Sequence, residues 1–249
     1  MPDITWNKAT WDGKYDWTRQ GDEWSAPWGT SAAMWFATIM PRIGMALPAE
    51  SVLEIAPGHG RCTEFLLRFT SCYNGVDLSE QCVTFCRERF ASNPNARFHQ
   101  NDGQSLGAVH DQLFDLVFSF DSLVHADLDA VSAYVPQILA LLRPGGIAFI
   151  HHSNLGACPG REWGHRSTEV SAEVVASLVE RHGGRVLIQE IFGDGIAPSD
   201  CFSTFCRQAD HSDFARETLG DSTFLTSEAR VARDTFVHYL ALRPSARAD

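Results

Sequence analysis

Two adjacent histidines, His151 and His152, close an apolar run in "GIAFIHHSNLG", and a third, His125, follows another in "FSFDSLVHAD". Imidazole is the side chain best suited to take a proton near neutral pH, so these three are candidates for a general base. Successive side chains on a strand point to opposite faces, so His151 and His152 should not share one job. One looks into a ligand cleft and the other packs or hydrogen-bonds behind it. His152 lies farther out and is the favoured base, with His151 and His125 as alternatives. Such a base needs an orienting carboxylate on its other ring nitrogen, and Asp121 and Asp200 are the candidates. Asp200 qualifies because "SDCFSTF" begins a strand that can run back beside the histidines.

A second constellation lies upstream, in "SVLEIAPGHGRCTEFLL". An apolar run leads into a turn with Gly58 and Gly60, where positive φ and close approach of a ligand require glycine. Counting on from Gly58 puts Thr63 where the dinucleotide fingerprint G-x-G-x-x-G needs its third glycine. The loop reads instead acid-x-Ala-x-Gly-x-Gly, from Glu54 through Ala56 to Gly60. Asp77 follows Glu54 by 23 residues, at the end of "YNGVD". A carboxylate there can accept hydrogen bonds from both hydroxyls of a ribose; its bland alternative is capping the helix that begins near Ser79.

These groups need a scaffold, and the chain supplies one. From Val52 onward, "VLEIA", "CYNGVDL", "ARFHQND", "LFDLVFSF" and "IAFIHH" alternate with helix-type segments, the signature of a parallel sheet covered on both faces. The fold class is α/β: a doubly wound, Rossmann-like, mostly parallel sheet of seven strands whose last strand is antiparallel. The short linker "DGIAPS" between "RVLIQEIFG" and "DCFSTFCR" suits that antiparallel return. The helix over "DLDAVSAYVPQILALLRPGG" is expected to carry Arg143 in its last turn and to stop at Pro144 and Gly145-Gly146. Ser171 is a plausible N-cap for the next helix.

Six of the seven tryptophans fall within the first 35 residues. They mark an N-terminal helical extension over 1–50, with a helix from about Ser31 to Gly44, that docks over the sheet or forms an aromatic wall or lid for a flat acceptor. Residues 51–207 form the core and 208–249 a C-terminal helical tail, all in a single domain of 249 residues.

A net charge of −11 without clustered Lys and Arg argues against a nucleic-acid partner and against anionic membranes. No apolar run is long enough to span a bilayer, so a cytoplasmic protein is expected. Seven scattered cysteines, never spaced as CxxC, read as reduced thiols. Oligomeric state is left open, a homodimer included.

The loop Glu54-Ile55-Ala56-Pro57-Gly58-His59-Gly60 resembles motif I of the class I S-adenosylmethionine-dependent methyltransferases, with Ala56 in place of the first glycine. The likeness extends, in order and spacing, through "YNGVDLSEQC", "FHQNDGQSL" and "FDLVFSFDSLVHAD", covering roughly Val52 to Asn154. It implies S-adenosylmethionine as cofactor, bound by Glu54, Ala56, Gly58, Gly60, Asp77 and Leu78. Asp102 and Gly103 would lie beside the adenine, and Phe120 and Asp121 near the methionine moiety. "PRIG", "LEIAPGHGR", "FIHHSNLG" and "DCFSTF" further resemble bacterial O-methyltransferases that act on saccharide hydroxyls, implying a small acceptor, a sugar or oligosaccharide.

A sugar hydroxyl is a poor nucleophile at neutral pH, so a positioned base, worth about 10² to 10⁴ in rate, is expected. Asp121 and Asp200 could instead hold Mg²⁺, with a water or sugar oxygen, to lower the hydroxyl pKa. No adjacent carboxylate pair is present, so Mg²⁺ is not favoured and no metal ligands are assigned. One rival is a nicotinamide-dependent sugar oxidoreductase or epimerase, which lacks its third glycine and a Tyr-x-x-x-Lys pair here. Another is a non-catalytic S-adenosylmethionine-binding protein, since fold alone implies no activity.

Overall fold

The computed structural model describes residues 2–193, 197–220 and 224–240. Among the described residues, eight strands form one sheet in the order β3-β2-β1-β4-β5-β7-β6-β8. They are β1 (Ala49–Ile55), β2 (Thr70–Asp77), β3 (Ala96–Gln100), β4 (Phe114–Ser119), β5 (Leu142–Ser153), β6 (Gly184–Phe192), β7 (Asp200–Arg207) and β8 (Glu217–Gly220). Seven strands were expected; the eighth is a four-residue edge strand of exposed residues, too short and too polar to read as a strand in sequence. The strand expected to be antiparallel, "DCFSTFCR", is β7 and runs against both β5 and β6; the additional β8 follows it in the chain and pairs parallel to β6. Part of the linker expected to make that return, residues 194–196, lies outside the described residues, as do 221–223 and 241–249 of the C-terminal tail.

The alternation of strand side chains builds a core on each face of the sheet. On one face Leu53, Ile55, Val117, Ile150 and Phe205 pack against α6 (Leu128–Leu141) and α7 (Ala172–Arg181). On the other, Val52, Tyr73, Phe118, Phe149 and Phe202 meet α4 (Thr63–Leu66), α5 (Glu80–Arg89) and the N-terminal segment through Trp35, Ile39 and Ile43. Ser171 caps α7 as expected, its Oγ accepting the Val174 N–H at 3.2 Å.

Two expectations shift by a few residues. The sheet begins to claim the chain before "RPGG" is reached: α6 ends at Leu141, and Leu142 already pairs with Phe114. Arg143 therefore belongs to β5, and the breakers Pro144 to Gly146 form an irregularity after which pairing resumes at Leu116 and Ile147. A side chain at Gly146 would lie 2.8 Å from the Phe114 carbonyl oxygen, which explains glycine there.

The N-terminal segment is a succession of short helical pieces: α1 (Ile4–Ala9), turns through Trp28, then α2 (Ser31–Met34) and α3 (Met40–Ile43). A π turn over Trp35–Ile39 joins α2 to α3 just before Pro41, which has no N–H for a regular ladder. The helix expected from Ser31 to Gly44 is thus present, with that irregularity inside it.

Candidate functional site

A cleft of about 1090 Å³, its open mouth included, lies at the carboxyl ends of β1, β2 and β4, where the strand order reverses direction. Its floor is the glycine loop. Ala56 (φ 57°), Gly58 (φ 58°) and Gly60 (φ 83°) all adopt left-handed backbone. A Cβ at Gly60 would come within 2.5 Å of the Phe90 ring, so the close approach and the positive φ together favour glycine there. Ala56 occupies a glycine conformation at a cost of about 1 kcal/mol.

Glu54 and Asp77, the carboxylates expected at this loop, both line the cleft and both are buried. Glu54 Oε2 accepts from Thr63 Oγ1 (2.6 Å) and Tyr73 Oη (2.5 Å), and burial pushes its pKa up to about 7. Asp77 accepts the Gly58 N–H on Oδ2 (2.9 Å) and the Ser79 N–H on Oδ1 (2.8 Å); burial raises it to about 6. Each oxygen keeps a lone pair for a further donor. Ser79 itself caps α5, its Oγ accepting the Cys82 N–H at 3.1 Å. The capping role weighed for Asp77 thus falls to Ser79. Leu78, Gly103, Tyr134 and Ile4 form an apolar slot beside it. Asp102 does not join them: it is exposed, and its Oδ1 closes a turn by accepting the Gln104 and Ser105 N–H groups.

At the other end of the loop, Arg61 donates to Asp121 Oδ2 at 2.9 Å and to Ser25 Oγ at 3.1 Å. Among the described residues it is the one Lys or Arg lining the cleft, facing Glu54, Asp77, Asp121 and Asp127. Sequence reading overlooked it; the signal was a single cation directly after Gly60 in an acidic chain. Phe120 also lines the cleft, with Arg61 over its ring at 5.6 Å. The pair Arg61 and Asp121 matches in sign the carboxylate and ammonium of an amino acid.

The three histidines sort differently from expectation. His151 and His152 do point to opposite faces of β5, but neither lines the cleft. His152 is fully buried; Nε2 meets Ser203 Oγ and Nδ1 meets the Ser153 carbonyl oxygen, each at 2.8 Å. Being farther along the strand placed it against Ser203 of β7 and not in the cleft. Burial holds its pKa down near 4. His151 accepts the Asp121 N–H on Nδ1 (3.2 Å) and bonds Asp200 through Nε2 (3.0 Å), within a cage of Phe120, Phe192 and Phe202. Asp200 also accepts from Arg166 and Ser199. Although burial raises its pKa, these bonds bring it below the ordinary carboxylate value.

His125 lines the cleft. Its Nδ1 lies 2.5 Å from the His165 carbonyl oxygen, which can only accept, so Nδ1 carries the proton and Nε2 has the lone pair. Among the described residues the hydrogen bond found for the ring is the one at Nδ1. Burial lowers its pKa to about 4, against the opposing effects of the His165 carbonyl and Asp121.

Asp121 and Asp200 sit on opposite nitrogens of His151, each facing a guanidinium, so they do not converge on a common point. Among the described residues no group of three or more His, Cys, Asp or Glu is arranged for a metal ion.

The tryptophan-rich segment closes one wall: Trp11, Trp17 and Trp24 line the cleft. Trp17 stacks on His59 (4.2 Å between centroids, 13° between planes), and His59 stacks in turn on Phe85 (3.8 Å, 9°). No helix among the described residues is long and apolar enough to cross a membrane, and all seven cysteines are free thiols.

Comparison with known proteins agrees with this geometry. Residues 52–146 match the family model of a methyltransferase domain. A fatty-acid O-methyltransferase of Mycolicibacterium smegmatis is 33% identical over 100 residues, 39% of this chain and 35% of that protein. Ribosomal RNA small subunit methyltransferase A of Pseudomonas syringae is 39% identical over 57 residues, 23% of this chain and 21% of that one. The chain thus spans about a third or less of the length of these relatives. Among solved structures, the N-methyltransferase NodS of Bradyrhizobium japonicum with S-adenosyl-L-homocysteine superposes with a TM-score of 0.56 at 16% identity, covering 80% of this chain and 90% of that one. CalS10 of Micromonospora echinaspora, an amino pentose methyltransferase with bound S-adenosylmethionine, gives 0.54 at 18% identity over 76% and 97%.

The fold is thus that of the S-adenosylmethionine-dependent methyltransferases, and residues 52–146 match a methyltransferase domain within it. Complexes with S-adenosylmethionine and S-adenosyl-L-homocysteine among these neighbours support S-adenosylmethionine as the cofactor.

Proposed function

We propose that the protein is an S-adenosylmethionine-dependent O-methyltransferase acting on a neutral hydroxyl compound, a sugar or oligosaccharide, with His125 as its general base. The observation that carries this reading is one cleft holding both Asp77 and an imidazole whose Nδ1 is committed and whose Nε2 is free to accept a proton.

When bound, S-adenosylmethionine supplies an electrophilic methyl group on a sulfonium. The protein's part is alignment and proton removal. Asp77 would accept the ribose hydroxyls, the slot of Ile4, Leu78, Gly103 and Tyr134 would take the adenine, and Arg61 with Asp121 the amino-acid end. His125 stays neutral above about pH 4, so its lone pair is available at neutral pH. The Asp121 carboxylate favours the imidazolium that forms when the hydroxyl proton arrives at Nε2.

Charge and shape support the acceptor class. Four carboxylates and one guanidinium line the cleft, which disfavours a carboxylate acceptor such as a fatty acid. The net charge of −11 disfavours RNA. Trp11 and Trp24 offer the flat apolar faces on which a pyranose packs, and CalS10 carries an amino sugar in its name.

One observation favours a second base. His151 has the carboxylate partner a base requires, Asp200 at 3.0 Å, but its Nδ1 is taken by the Asp121 N–H. The test is transfer of labelled methyl from S-adenosylmethionine to a panel of monosaccharides and oligosaccharides, with wild type, His125→Gln and His151→Gln. Loss in His125→Gln with retained binding of S-adenosyl-L-homocysteine is expected; loss confined to His151→Gln would move the base to that residue. Cofactor binding without transfer to any acceptor would leave a non-catalytic binding protein.

A further inference from the structure

His125 is held from outside the sheet. In α1, Asn7 donates through Nδ2 to the His125 carbonyl oxygen at 2.8 Å and to the Asp3 carbonyl oxygen at 3.0 Å. Its Oδ1 accepts Trp11 Nε1–H at 3.1 Å, and the Trp11 ring lies 5.2 Å from the His125 ring. One side-chain amide therefore fixes both the backbone of the histidine and the indole against its ring.

The same stretch reaches the cofactor loop. Trp11's carbonyl oxygen accepts from Trp17 Nε1 (3.1 Å), and Trp17 stacks on His59 and packs on Gly58, where a Cβ would lie 3.0 Å from its ring. Asp12 Oδ1 accepts from Ser79 Oγ at 2.6 Å, two residues beyond Asp77. Within 4–17 the chain thus touches the ribose-side carboxylate's neighbour, the glycine loop and the histidine.

We infer that Asn7 is a positioning residue for His125, setting the imidazole through its backbone and through Trp11, and that the N-terminal segment thereby links the cofactor side of the cleft to the base. The inference rests on the proposed role of His125. The carbonyl of His125 lies in a short turn, Leu123–His125, so without the Asn7 donor that turn has one anchor fewer and the ring loses its indole cover. The charged or titratable groups around the imidazole are His165 and Arg166 from the loop after β5 and Asp121 from the end of β4. On the α1 side Asn7 and Trp11 are both uncharged.

The experiment is nuclear magnetic resonance of the full-length protein with ¹⁵N-labelled histidine, with and without S-adenosyl-L-homocysteine, His125→Gln assigning the signal. In wild type the His125 signal should show one tautomer, Nδ1–H, titrating near pH 4. In Asn7→Ala it should show both tautomers and titrate closer to the ordinary value of about 6.5. Asn7→Asp, which keeps an acceptor for Trp11 and loses the donor to His125, separates the two routes and should shift the tautomer balance too. Once an acceptor is in hand, kcat should fall roughly tenfold in Asn7→Ala with the cofactor KM unchanged.

A purely structural Asn7 would lower the melting temperature and leave the His125 tautomer and titration as in wild type; that result overturns the inference. If Asn7→Ala does not fold, Asn7→Asp and Trp11→Phe carry the same test. Full turnover in His125→Gln would instead sink the base assignment, whatever Asn7 does to the imidazole signal.

Discussion

The two sides of the cleft are built in different ways. On the β1–β2 side, Glu54, the glycine loop and Asp77 are fixed by adjacent parallel strands, with Glu54 paired opposite Gly75 and Ile55 opposite Val76. Strand geometry alone puts these groups at one end of the sheet. On the β4–β5 side, His125 sits in a turn beyond β4; its carbonyl oxygen accepts from Asn7, 118 residues away in sequence, and its Nδ1–H donates to the carbonyl of His165, 40 residues away. A cofactor is common to a class and can be held by a fixed frame, whereas the acceptor is read by segments outside it.

The largest effect that would test this contrast is on the acceptor side. His125→Gln should lower turnover by about 10² to 10⁴ while leaving S-adenosyl-L-homocysteine affinity nearly unchanged. His152→Ala should do the opposite, keeping turnover per folded molecule and lowering the melting temperature, because it strands buried Ser203 and the Ser153 carbonyl. Measuring rate and thermal midpoint for both variants separates the roles; a rate collapse in His152→Ala with normal stability would restore it as base.

On the cofactor side, Asp77→Asn should weaken S-adenosyl-L-homocysteine binding about 10- to 100-fold by calorimetry, the worth of hydrogen bonds to a charged acceptor. Unchanged affinity would remove Asp77 from the ribose.

The pH dependence should divide the two sides as well. Asp77 and Glu54 bind protons more tightly folded than unfolded, with values near 6 and 7. Their contribution to stability is complete below the unfolded values near 4 and is lost as pH rises through about 6 and 7. Cofactor binding runs the other way, since it requires an ionised Asp77. Affinity for S-adenosyl-L-homocysteine should therefore be roughly tenfold weaker at pH 5 than at pH 7.5, and Asp77→Asn should flatten that profile. His125, neutral throughout this range, should contribute no change.

The smallest effect concerns the loop itself. Ala56→Gly should leave cofactor affinity intact and raise stability by up to about 1 kcal/mol, since the left-handed conformation at φ 57° suits glycine. A loss of stability would mean that the Ala56 methyl packs against the core strongly enough to outweigh its strain.

Legibility in the sequence followed the same division. Alternating runs announced the strands, and the spacing from Glu54 to Asp77 placed two carboxylates at one edge of a cleft, as found. The opposite facing of His151 and His152 was also readable, because strand period is a local property. Which face looked at the ligand was not, because both faces are apolar: Phe149 enters one core and Ile150 the other. Arg61 offered only its place as a cation after Gly60, and Asn7 offered nothing, because the partners that matter, Asp121 and the His125 carbonyl, lie far away in sequence. Asp102 was misplaced because a carboxylate just past a strand can serve a ligand or close its own turn, and here backbone N–H groups were nearer.

By itself, then, the sequence determined the sheet, the order of its central elements and the cofactor edge, all of which follow from local periodicity and from glycine's freedom at positive φ. Tertiary structure alone decided which histidine faces the cleft. That choice depends on where α7, the loop through His165 and the N-terminal tryptophans pack, and packing between segments a hundred residues apart leaves no spacing to read.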